Sequence, residues 1–191
     1  MITLALALIA QPDIIQSRAL DRVRAAGGAV RIEPPANKGY EIWIDFESPV
    51  EDVDLVPLRG LRRLTALRIL GGGFGDAGVA LITNVPDLWL LVLRSDRIGE
   101  KGVRSVAKIT TLRKLDLIGP TLSRQSLAEI AKLPKLEQLY LYGAKLREAD
   151  LQVLSGLRQI KTLMLPKSVS EKGIAELARR LPKASVTRLE D

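Results

Sequence analysis

Apolar residues recur along this chain with a period of 24, and that period sets both the architecture and the kind of surface to expect. Leu64, Leu88, Leu112, Leu136 and Ile160 are evenly spaced, and each opens the same phrase. The phrases are Leu64-x-x-Leu67-x-Ile69, Leu88-x-x-Leu91-x-Leu93, Leu112-x-x-Leu115-x-Leu117, Leu136-x-x-Leu139-x-Leu141 and Ile160-x-x-Leu163-x-Leu165. Their fourth and sixth positions are apolar and the intervening ones vary, which is the alternation of a strand with one buried side. A unit this short cannot enclose its own apolar side. Consecutive units must therefore stack and share one core.

After each strand phrase the period changes. Phe74, Ile98, Leu122 and Leu146 hold the eleventh position, and apolar residues then fall three apart: Val79, Ile82, Val85; Val103, Val106, Ile109; Leu127, Ile130, Leu133; Leu151, Leu154, Leu157. This spacing predicts a short α-helix or a 3₁₀-like turn with one buried stripe. Gly75, Gly99 and Ser123 share the position just before the helix, where N-caps are favoured. Asp76 and Glu100 follow in the first turn, placed to complement the helix dipole. Pro86, Pro134 and Pro182 stop each helix before the next strand. Lys108, Lys132 and Arg180 recur near helix C-termini, which the dipole explains without a ligand.

Both ends are irregular. One period before Leu64 stands Tyr40, and Val50, Leu55, Leu58 and Leu61 fit a degenerate first unit whose strand, Ile42 to Phe46, is displaced by one residue. In the unit opened by Ile160, Val169, Ile174 and Leu177 come one place early, and Ala184 to Leu189 predict a last strand with no helix after it. Upstream, Pro12-Asp13 with Gln16 reads as a capping box, Ile15, Leu20 and Val23 as an apolar stripe, and Gly27-Gly28 as a helix stop. Val30 and Ile32, the segment Pro34 to Gly39, and Ile42 and Ile44 read as a hairpin. The expected organisation is an N-terminal apolar segment and cap over residues 1–39, then repeats over 40–191, about six coils and a terminal strand.

Composition removes several classes of chemistry. The chain has no cysteine and no histidine. Disulfides, thiolate nucleophiles, zinc ribbons and Ser-His-Asp triads are thereby excluded, and no cofactor is expected. The net charge of +7 is uneven: residues 1–54 carry five basic and nine acidic side chains, and the remainder carries 24 and 13. Glu41, Asp45, Glu47, Glu51, Asp52 and Asp54 make the early run acidic. This asymmetry reads as solubility and counter-charge at helix ends, or as attraction for an acidic partner at the basic end. Residues 2–10 form an apolar run too short to span a bilayer. No Lys or Arg precedes it and Ala5, Ala7 and Ala10 make no clean cleavage site, so it reads as a segment lying on the first unit, with a signal remnant as the alternative. The first reading favours the cytoplasm and the second export.

The phrases resemble leucine-rich repeats, whose pattern L-x-x-L-x-L-x-x-N/C-x-L is matched at every leucine position from Leu64 to Leu146. The 24-residue unit with Gly75-Asp-Ala-Gly78 and Gly99-Glu-Lys-Gly102 before the helix is similar to bacterial cysteine-free repeats of the ribonuclease-inhibitor-like kind. The resemblance covers residues 40–189. It implies an α/β fold: a right-handed horseshoe segment with a parallel inner sheet, short outer helices and an N-terminal helix and hairpin cap. One position departs from the pattern. The ninth-position Asn that bonds successive coils in the family is here Gly72, Asp96, Pro120, Ala144 and Ser168, so backbone groups in that turn need other partners, and Gly71, Gly119 and Gly143 suggest a tight turn.

In that arrangement strand positions three, five and seven face the concave side: Ala66, Arg68, Leu70; Leu90, Val92, Arg94; Lys114, Asp116, Ile118; Gln138, Tyr140, Tyr142; Thr162, Met164, Pro166; with Trp43 and Asp45 from the displaced first strand. Six strands about 4.8 Å apart make a sheet roughly 25–30 Å wide, enough for a standard protein interface. The set is apolar and rich in Tyr, Met and Arg, the composition of interface centres. Trp89, at position two, reads equally as a wedge between coils or as a contact. The function expected is non-enzymatic protein or peptide binding through the concave face. A homodimer through that face or through the C-terminal edge near Leu189 is the structural alternative. Binding of an anionic partner by the basic body is another, but the basic residues are spread over several faces, and only Tyr140 and Tyr142 offer adjacent stacking platforms, which disfavours nucleic acid. Catalysis has little support. Lys114 with Asp116, or Glu148 with Asp150, could form acid–base pairs, and Gly71 to Gly75 lacks the ending of a phosphate loop.

Overall fold

A computed structural model describes residues 14–33, 41–59 and 61–188. The elements run α1 (Ile14–Ala25), β1 (Ala29–Glu33), β2 (Glu41–Phe46), a 3₁₀ segment (Asp52–Leu58), β3 (Leu64–Ile69), α2 (Asp76–Leu81), β4 (Leu90–Arg94) and α3 (Glu100–Val106). They continue with β5 (Lys114–Ile118), α4 (Arg124–Ile130), β6 (Gln138–Tyr142), a second 3₁₀ segment (Glu148–Gly156), β7 (Thr162–Leu165), α5 (Glu171–Arg180) and β8 (Ser185–Arg188). The eight strands form one sheet in chain order. β1 pairs antiparallel with β2, and every later pairing is parallel. The architecture is α/β, an open sheet alternating with helices, compatible with a solenoid-like repeat. The apolar run at 2–10, the Pro12-Asp13 capping box, the turn at 34–39, Tyr40 and Leu189 lie outside the described residues.

The 24-residue phase appears directly in the register. Leu67 pairs with Leu91, Leu91 with Leu115, Leu115 with Leu139, and Leu139 with Leu163. These five leucines are fully buried, as are Ile69, Leu93, Leu117, Leu141 and Leu165 at the sixth position. The helical stripes (Val79 and Ile82, Val103 and Val106, Leu127 and Ile130, Leu151 and Leu154) join them in one continuous core. The displacement expected in the first strand is present. Ile42 pairs with Leu64 but Trp43 pairs with Ala66, leaving Thr65 as an extra residue whose hydroxyl donates to the Ile42 carbonyl at 3.3 Å.

The turn after each strand is satisfied without an Asn ladder. Its amides bond to neighbouring backbone, as in Ser95 to Ile118, Gly119 to Tyr142 and Lys145 to Pro120, and the Ser95 hydroxyl donates to the Phe74 carbonyl at 2.6 Å. Gly119 and Gly143 adopt left-handed φ of 96° and 56°, as a tight turn requires. Gly71 is needed for closeness instead, since a Cβ there would lie 1.5 Å from the Ser48 carbonyl oxygen.

A carboxylate ladder joins the helices. Asp52 Oδ1 accepts from the Gly75 and Gly78 amides at 2.7 and 2.9 Å, and Asp76 Oδ1 accepts from Gly99 and Gly102 at 2.7 and 2.8 Å. Each acid thus caps the helix of the next unit, satisfying two of the amides every helix start leaves free. Gly75 and Gly99 stand at the N-caps and Asp76 and Glu100 in the first turns, as expected; the bond from Asp76 to the next unit is a second role that the spacing does not show. It also explains the second glycine of each motif: a Cβ on Gly78 or Gly102 would lie 2.5 Å from the capping oxygen. Further on, serine relays the bond. Ser123 Oγ donates to Glu100 at 2.6 Å and accepts from the Ser126 amide, and Ser170 likewise links Glu148 to the Gly173 amide. In the same column Arg124 replaces an acid, and the unit it would cap is the 3₁₀ segment Glu148–Gly156. The other 3₁₀ segment, Asp52–Leu58, opens the column and is capped within itself, Asp54 accepting from the Glu51 amide. Among the described residues of the repeats, each α-helical segment has a carboxylate of the preceding unit bonded at its start, directly or through its own N-cap serine, and the 3₁₀ segments do not.

Candidate binding face

With helices covering one side of the sheet, the other side carries strand positions three, five and seven. The register sets the expected residues in rows. One row runs Trp43, Ala66, Leu90, Lys114, Gln138, Thr162. The next runs Asp45, Arg68, Val92, Asp116, Tyr140, Met164, and a third contains Arg94, Ile118 and Tyr142. Leu70 lies just past β3, its amide donating to the Phe46 carbonyl at 2.8 Å, and Pro166 lies past β7, buried.

The apolar residues of these rows differ in how open they are to solvent. Ala66, Leu90 and Val92 are buried, with Leu90 9% and Val92 6% exposed, and they form an apolar cluster separate from the main core. Trp43, Leu70, Trp89 and Ile118 close over them. Strand alternation places these positions on the helix-free side but says nothing of how far a large neighbour reaches across them. Trp89 settles edge-on against Trp43, with ring centres 5.9 Å apart at 79°, and so belongs to this cluster. Sequence reasoning left Trp89 undecided because position two belongs to neither face of the alternation. The markedly exposed large apolar residues among those described, Ile32, Val53 and Val56, are none of the predicted face residues.

Polar groups surround the cluster. Asp45 lies 3.5 Å from Arg31 and 3.4 Å from Arg68, and Arg31 sits 5.5 Å from the Trp43 ring centre. With Asp52 and Asp54 capping helices, three members of the early acidic run therefore have structural partners. Toward β6, the Tyr140 and Tyr142 rings stack 5.9 Å apart and within 3° of parallel. Lys114 Nζ lies 4.9 Å from the Tyr140 ring centre and 3.8 Å from Asp116 Oδ2. Asp116 is buried in mid-sheet, and its Oδ1 has no hydrogen-bond partner. Burial pushes its carboxyl up to about 6 against the lowering charges of Lys114 and Arg68. Burial, then the Asp116 charge and Tyr140, also raise the Tyr142 phenol.

The second imagined acid–base pair does not form: Asp150 is held by Arg147 at 2.8 Å, while Glu148 bonds Ser170. Among the described residues no three carboxylates gather to hold a metal ion, and no helix is long and apolar enough to cross a membrane. The hollow on this side, about 440 Å³, is a shallow one at the strand C-termini, lined by Leu70, Gly72, Arg94, Ile118 and Gly119 among others. Arg94 and Asp96 stand at its wall with Ser95, whose hydroxyl is committed to the Phe74 carbonyl. No protein-family model matches the sequence, and no curated protein matches it.

Proposed function

We propose that this chain is a leucine-rich-repeat solenoid of the horseshoe kind, and that its helix-free, concave sheet face binds a protein or peptide without catalysing a reaction. The apolar cluster around Val92, flanked by stacked tyrosines and by Arg68, Arg94 and Lys114, is the observation that carries this reading. Partly buried aromatics amid charged residues that are only partly satisfied are the makings of an interface centre. Such a face holds a partner by shape and by a few anchors, which a smooth sheet supplies more readily than it supplies a reaction cleft. The experiment compares capture of partners from the native host by the unaltered chain and by Tyr140→Ala/Tyr142→Ala. The double variant is expected to lose specific partners while keeping its melting temperature, because both rings lie outside the shared core. Undiminished capture of every partner refutes the proposal.

A further inference from the structure

Among the described residues, Asp116 Oδ1 alone is a buried side-chain polar atom without a hydrogen-bond partner. The carboxylate sits in β5 between Val92 of β4 and Tyr140 of β6, and the residue is 9% exposed. Lys114 approaches its other oxygen no closer than 3.8 Å, too far for a hydrogen bond. The same ammonium stands 4.9 Å from the Tyr140 ring centre. A cation therefore already occupies the place where carboxylate and ring meet, on a flexible stem, and it leaves half the carboxylate unserved. A buried carboxylate in that condition is poorly compensated.

Building on the reading of this face as a partner-binding surface, we propose that Asp116 and Tyr140 form the receiving site for an arginine side chain of an extended protein or peptide segment, with Lys114 as the internal placeholder it displaces. A guanidinium suits the site better than the ammonium now there. Once Lys114 swings away, the planar fork can donate to Oδ2 and approach the enclosed Oδ1, and its face can lie on an aromatic ring. Apolar residues flanking the arginine would rest on Ile118, partly exposed two positions along β5 from Asp116, and on Met164, partly exposed beside Tyr140. An acidic segment is the competing occupant, since Arg68, Arg94 and Lys114 are near. Arg68, however, is already paired with Asp45 at 3.4 Å, and an added anion would leave Asp116 more isolated than before.

The two occupants predict opposite signs for the same pair of substitutions. The full chain is used to select binders from a displayed library of random heptapeptides, and one selected peptide is then measured against four proteins: native, Asp116→Asn, Lys114→Met and Tyr140→Ala/Tyr142→Ala. The proposal expects selected peptides to carry arginine between apolar residues. It expects Asp116→Asn to weaken binding about tenfold or more, the scale of losing a hydrogen bond to a charged group. It expects Lys114→Met to tighten binding severalfold by removing the placeholder. Acidic peptides weakened by Lys114→Met and strengthened by Asp116→Asn would overturn it, while loss of binding in the tyrosine variant would keep the face as the contact. Peptides indifferent to all four proteins, or no selected peptide, would overturn it together with the reading of the face.

Discussion

Asp116→Asn tests the electrostatics of the sheet face in the protein alone. The carboxyl is raised from 3.8 to about 6, burial being the largest cause. A raised acid is protonated in the folded chain and ionised in the unfolded one between those values, so its contribution to stability is fully present below pH 3.8 and is lost as pH climbs through 6. At about 1.4 kcal/mol per pH unit, ionised Asp116 costs the native state at most about 3 kcal/mol at neutral pH, less the part that water screens. An amide fills the same space and removes the charge, although Oδ1 still finds no donor, so part of the penalty stays. Asp116→Asn is therefore expected to raise unfolding stability by about 1–3 kcal/mol at pH 7.5 and by almost nothing at pH 4. Urea unfolding of native and variant chains at both pH values measures the difference, and subtraction cancels every other titrating group. A variant less stable at pH 7.5, or a gain of the same size at both pH values, would refute the argument.

Two further substitutions address the stack. Gly102→Ala would ordinarily favour a helix by about 1 kcal/mol, but its Cβ would lie 2.5 Å from the Asp76 oxygen, so a net loss of about 1–2 kcal/mol is expected from the disturbed cap. In an Asp76→Ala background the same change should cost less, and thermal melts of the four proteins of that cycle read the coupling. Leu139→Asp places a carboxylate in the shared core beside Leu115 and Leu163, and it should unfold several units, at a cost of several kcal/mol, because no donor faces it. Circular dichroism that melts at the native temperature would contradict the alignment of the units.

Much of this arrangement was legible in the chain because a strand has a period of two and the units one of 24. Those two numbers place Leu67, Leu91, Leu115, Leu139 and Leu163 in register, locate the slip at Ile42, and put Arg68, Val92, Asp116 and Tyr140 on one row. What they do not carry is contact between units. Asp76 sits in the first turn of its own helix as expected, but nothing in the spacing shows its oxygen also reaching Gly99 and Gly102. The choice between α and 3₁₀ segments was unreadable for the same reason, since it goes with which segment starts a neighbouring carboxylate reaches. Burial on the sheet face depended on side-chain reach: Trp43 and Trp89 cover residues that alternation assigned to solvent. The loneliness of Asp116 is likewise a matter of which donors fail to arrive, which only the assembled sheet displays.

Contact with a partner is proposed to fall on the helix-free face. A photo-reactive phenylalanine analogue placed at Tyr142 on the sheet, and separately at exposed Gln125 on α4, tests it in the native host. Partner adducts at position 142 and none at 125 are the expected result. Adducts at 125 with none at 142 would contradict it.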